Sequence, residues 1–287
     1  MERSQKIKLF GSRDFGDNFD MTLNFLKQNY GSILKGILVL IPVYLVISYF
    51  IPTPNSFTPN VSTYGGIFNT YASMFTLSFV IAYSLIILAS LITFIYVTSY
   101  MAVYTKSPDN VVKNSEVWSK VAKAFLPILG GSILFGILVA IGTILCIIPG
   151  IIIYVYLGFY GYVYVNEERS IIDSFYRSYK LITNNWWITF GYGIIFFIIL
   201  SIVGVIFAIP TYLAALGTAF GIEFLASDVY RYISALISYT GSFLLYPILY
   251  VAMGVMYYSH RNKLDGVDIE TEIDNIGIST DDQKNQF

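Results

Sequence analysis

Long apolar runs alternate with short polar connectors along the whole chain, and six of the runs are long enough to cross a bilayer, which takes about 20 mostly apolar residues. They cover roughly Ser32–Ile51, a stretch within Tyr71–Tyr104, Ala124–Ile147, Ile151–Val165, Trp186–Ile209 and Tyr232–Tyr258. The second stretch has no Gly, Pro or charged residue. As one helix it would be about 50 Å long, more than a core of about 30 Å needs, so it should tilt or protrude. The fourth run is short and follows Ile148-Pro149-Gly150, which reads as a tight turn. The fifth is expected to stop at Pro210.

The polar connectors carry a second pattern. Phe15, Phe19, Leu23, Leu26 and Tyr30 recur at helical spacing, and so do Ile171, Phe175, Tyr179, Ile182 and Trp186. The two sets align at a constant offset of 156 residues, as from Asp14 to Ser170. Asp14 with Asp17, and Ser170 with Asp173, each have the form of a helix N-cap followed by an acid three residues on. Asn29 aligns with Asn185. The segment Asp109–Phe125, with Trp118, Val121 and Phe125, is a weaker third copy. The reading is an amphipathic helix at the membrane interface before each helical hairpin, although any amphipathic helix would give a similar pattern.

Charge then sets the orientation. Only 12% of the residues are charged, against about 25% in a soluble domain, and the mean hydropathy is +0.65. Cytoplasmic loops collect Lys and Arg. With six spans, 16 of the 17 basic residues fall on one side and only Arg231 on the other. Both termini are therefore expected in the cytoplasm. A net charge of −1 offers no field for nucleic acid. The first apolar run begins near Ile33, after a polar leader, so the first span is expected to be retained and not cleaved as a signal. The expected organisation is a leader with an interfacial helix (1–31), a six-helix membrane domain (32–261) with interfacial helices near 109–123 and 170–185, and a disordered acidic tail (262–287).

The region Ile148–Phe190 is distinctive. Ile148-Pro149-Gly150 opens a Tyr-rich helix, followed by Glu167, Glu168, Ser174, Arg177-Ser178, Leu181, Asn185-Trp186-Trp187 and Phe190. It resembles the membrane domain associated with bacterial glycerophosphoryl diester phosphodiesterases and its stand-alone relatives. The resemblance implies a six-helix fold in a bacterial plasma membrane. It implies no reaction, because the phosphodiesterase chemistry of such fusions resides in a separate soluble barrel that this chain lacks.

Nothing in the residues assembles a catalytic set. One His, His260, and one Cys, Cys146, cannot form a typical zinc or non-haem iron site. There is no phosphate-binding Gly-rich loop. Cys146 reads as a buried inert thiol, and His260 as a side chain in water at the end of the last helix. Ion-coupled carriers place ionisable residues within the membrane, and these spans hold none between their ends. Tyr156, Tyr160 and Tyr164 share one face of span four and read either as a polar seam or as packing with bonded hydroxyls. Glu167, Glu168 and Arg177 stand where span four leaves the membrane, placed to form an ion pair that locks the corner. Trp186-Trp187 reads as an interface anchor. The sequence thus points to an all-α integral membrane protein without enzymatic activity or cofactor, with membrane lipids or a protein partner as its contacts. A permease or lipid transporter is the alternative.

Overall fold

The computed structural model describes residues 6–50, 77–108 and 111–268. The polar connector Pro52–Gly66, the start of the second apolar stretch and most of the acidic tail lie outside them. The described elements are helices, with no strand among them. They are α1 (Phe15–Ile37), a 3₁₀ turn (Leu38–Leu40), α2 (Ile41–Phe50), α3 (Leu77–Lys106), α4 (Asn114–Leu145), α5 (Ile147–Leu157), α6 (Tyr160–Glu167), α7 (Ile171–Ile182), α8 (Trp186–Phe220), α9 (Glu223–Ala226) and α10 (Asp228–Asp265). Six helical stretches are long and apolar enough to cross a membrane, α1 with α2 and α5 with α6 each counting as one.

The residues divide into two compact units. Unit 1 comprises 1–31, 95–196 and 248–287, and unit 2 comprises 32–94 and 197–247. Among the described residues, every Lys and Arg except Lys35 and Arg231 lies in unit 1.

In unit 1 the expected caps are formed. The Asp17 N–H donates to Asp14 Oδ1 at 2.8 Å. The Asp173 N–H donates to Ser170 Oγ at 3.1 Å, and that hydroxyl donates to Asp173 Oδ2 at 2.6 Å. Each cap satisfies N–H groups that the first turn leaves free. The buried row of α1 is not the apolar stripe, however. Asn18, Thr22, Phe25 and Asn29 are buried, whereas Leu23 is exposed. Each polar member has a partner: Thr22 Oγ1 lies 2.7 Å from Tyr192 Oη, Asn29 Oδ1 accepts from Tyr100 at 3.0 Å, and Asn18 Nδ2 donates to the Asp14 carbonyl at 2.8 Å. Hydrogen bonding reverses the usual preference for apolar burial.

The aligned positions of α7 behave alike: Ser174, Ser178 and Leu181, equivalent to Asn18, Thr22 and Phe25, are all buried. In α4, Val117, Ala124 and Ile128 occupy the places of Thr22, Asn29 and Ile33 and are buried, but Lys120 replaces Phe25. The first and third copies therefore share their inner face, and the middle copy shares part of it.

The hairpin of α4 and α5 turns on one residue. Cys146 alone is extended between them (φ −170°, ψ 150°). Its side chain is exposed, not buried as expected, because it occupies the apex of the turn. Ile148-Pro149-Gly150 is not the expected turn but lies in the first turn of α5, where the missing N–H of Pro149 costs nothing.

In unit 2, α8 does not stop at Pro210 but continues to Phe220. A proline inside a helix removes a backbone bond. Here Ser238 of α10 donates to the Phe207 carbonyl at 2.9 Å and lies 2.8 Å from Thr211 Oγ1. These hydroxyl bonds hold α8 to α10 beside the proline, at the carbonyl three residues before it. Tyr44 and Phe243 pack ring to ring at 4.7 Å in the same unit.

Candidate functional site

The site is built at the corner where α6 meets α7, wholly within unit 1. Span four is broken at Gly158-Phe159, between α5 and α6. Ser178 of α7 closes the break. Its hydroxyl accepts the Phe159 N–H at 3.0 Å and donates to the Tyr156 carbonyl at 2.8 Å. Both Phe159 and Ser178 are fully buried. Ser178→Ala leaves that N–H without a partner, and a buried orphan donor costs about 1–3 kcal/mol. Ser178→Thr keeps the hydroxyl. The alanine variant is therefore expected to melt several degrees lower in a thermal-shift assay and the threonine variant to recover part of the loss.

Beyond the break α6 ends at Glu167, which accepts from several partners. Arg177 Nε and Arg169 Nε each donate to Oε2 at 3.0 Å, and Tyr257 donates to Oε1 at 3.0 Å. Arg261 Nε lies 3.8 Å from Oε1 and 3.6 Å from Asp265 Oδ2, and Arg177 Nη2 pairs with Asp265 Oδ2. The Glu167 and Arg177 side chains are only 5% and 12% exposed. Burial opposes the Arg177 charge, but hydrogen bonds and attraction from Asp265 and Glu167 outweigh it and raise its pKa above the ordinary value. A cleft of about 520 Å³ opens here, lined by Lys106, Asn166, Glu167, Glu168, Arg169, Arg177, Arg261 and Asp265. Its carboxylates are largely neutralised by guanidinium groups, so it serves as an ionic clasp tying α6, α7 and α10 together.

Glu168 takes no part in the ion pair read for it. It caps α6 in the left-handed region (φ 53°) and lets the chain reverse toward Ser170. Asn185 lies in the turn between α7 and α8, its N–H donating to the Ile182 carbonyl at 2.8 Å. Trp186 stacks on Phe190 at 4.9 Å, and Trp187 is exposed. The three tyrosines of span four are divided by the break. Tyr156 packs on Tyr179 at 5.0 Å, Tyr160 Oη lies 2.7 Å from Ser132 Oγ, and Tyr164 is half-buried.

His260 is not in water as expected. It is 1% exposed, with Nε2 2.8 Å from Thr189 Oγ1 and Nδ1 without a partner. The cause is the length of α10, which continues to Asp265, into the segment expected to be disordered, and carries His260 and Asn262 into the packed interior of unit 1. Little in the local pattern marks the residues that complete the clasp. Tyr257, Arg261 and Asp265 lie some 90 residues from Glu167 and reach it only through the fold. Among the described residues, no three His, Cys, Asp or Glu side chains gather as metal ligands.

These features define an all-helical protein with six helices able to cross a membrane and an ionic clasp between three of its helical segments. A family model described as a domain of unknown function, DUF7847, matches residues 67–260, about two thirds of the chain, and the protein belongs to that family. No curated protein and no solved structure matches it.

Proposed function

We propose that this is a multi-pass protein of the plasma membrane, with both termini cytoplasmic, that has no enzymatic activity and organises lipid or partner proteins at its cytoplasmic face. The observation that carries the reading is the outer side of α7. Its inner side is packed through Ser174, Phe175, Ser178, Leu181 and Ile182, yet Ile172, Tyr176 and Tyr179 on the other side are 65%, 62% and 45% exposed. Lys180 Nζ stands 4.5 Å from the centre of the Tyr176 ring. A helix that is apolar on both sides and rimmed by a cation suits the headgroup layer. The one-sided distribution of Lys and Arg supports the orientation. The resemblance to the phosphodiesterase-associated membrane domain supports a bacterial plasma membrane.

A photo-crosslinker at Tyr176, activated in native membranes before purification, tests the role. Lipid or protein adducts are expected. A monomer carrying neither would overturn it. The alternative, a permease or lipid transporter, would replace it if the reconstituted chain moved a labelled lipid or solute across a vesicle.

A further inference from the structure

We propose that the pocket between the end of α3 and the start of α4 is a binding site for the phosphate of an anionic phospholipid headgroup. This rests on the lipid-organising reading above and names its ligand. The pocket has a volume of about 770 Å³ and is lined by Lys106, Lys113 and Lys120 with Ser115, Ser119 and Glu116. Three ammonium groups face one carboxylate. That carboxylate already serves Lys113, at 3.8 Å. Among the described residues, Lys106 and Lys120 form no ion pair.

Lys106 and Lys123 repel Lys120, and Glu168 is the acid that attracts it. An anion would relieve that repulsion. The start of α4 adds to the field. Its N-cap, Lys113, makes no side-chain hydrogen bond, leaving the positive end of the helix dipole open to the pocket. Ser115 and Ser119, one turn apart, offer hydroxyl donors. The surroundings fit a lipid. Trp118 packs on Tyr96 at 5.3 Å, as interface aromatics do, and exposed Leu126 stands about 9 Å further along α4 toward the apolar run. Exposed Val111 lies at the rim. A phosphate could sit among the lysines with its acyl chains along α4. Basic pockets at helix ends commonly hold such headgroups.

The test reconstitutes the full chain into nanodiscs of mixed phosphatidylglycerol and phosphatidylcholine and measures the lipid retained by native mass spectrometry. Phosphatidylglycerol should be enriched on the wild type. The variant K106Q/K113Q/K120Q should lose about tenfold of that preference. A control, K27Q/K35Q/K263Q, removes equal charge at exposed positions elsewhere and should keep it. Equal loss in both variants would overturn the pocket while leaving the lipid-organising role standing. Absence of enrichment on the wild type would overturn the pocket too, and absence of any bound lipid or partner would remove the broader reading with it. Stabilisation by millimolar inorganic phosphate, without phosphatidylglycerol enrichment, would assign the site to free phosphate and overturn the lipid.

Discussion

Glu167→Ala should destabilise the protein by about 3 kcal/mol, the cost of removing one partner from a buried ion pair. The carboxylate receives Arg169, Arg177 and Tyr257, and its loss leaves the largely buried Arg177 with Asp265 alone. Two uncompensated groups, the Arg177 Nε and the Tyr257 hydroxyl, then remain in poorly hydrated surroundings. Arg177→Ala should behave similarly, because it releases both Glu167 and Asp265. Glu168→Gln, at an exposed turn position, should stay within about 0.5 kcal/mol of the wild type. Thermal denaturation in detergent separates these cases. Equal melting of Glu167→Ala, Arg177→Ala and the wild type would mean that the clasp does not hold α6, α7 and α10 together.

Gly150→Val should open the α4–α5 hairpin. A Cβ at Gly150 would lie 3.0 Å from both Cα and Cβ of Thr143, and Gly142 faces Gly150 Cα at 3.1 Å from its own would-be Cβ. Two helices leaving a one-residue turn must approach closely, and small residues are what allow it. The obstruction includes backbone, so rotamer changes cannot relieve it, and overpacking of this kind costs about 3 kcal/mol. Gly136→Ala, in open space on α4, is the control and should be neutral or slightly stabilising. The contrast between the two variants in expression and melting temperature checks the argument.

The six long apolar helices were legible because crossing a bilayer would demand length and apolarity over some 20 consecutive residues, a requirement local sequence must meet. The caps at Asp14 and Ser170 were legible for the same reason, since they act within three residues. The buried face of α1 was not. Asn18, Thr22 and Asn29 look like a solvated row until Tyr192, Tyr100 and Ser259 arrive from other helices to bond them. The continuation of α8 past Pro210 was not legible either, because the Ser238 hydroxyl that bonds the helix beside it lies 28 residues away. At the site, the Glu167–Arg177 pair could be read from ten residues' separation. Ser178 belongs to a visible motif, but its work on a break in the preceding helix depends on a tertiary contact. In the sequence the lysines of the α3–α4 connector mark only sidedness. Their pocket follows from where two helix ends meet.

The most direct measurement concerns sidedness. In a Cys146→Ser background, single cysteines replace Ser56, between the first two apolar stretches, and Ser115 beside the lysine pocket. A membrane-impermeant maleimide is applied to intact cells and again after permeabilisation. Ser56→Cys should label at once, and Ser115→Cys only after permeabilisation. Labelling of both from outside, or of Ser115→Cys alone, would contradict the six-span map and with it the cytoplasmic working face.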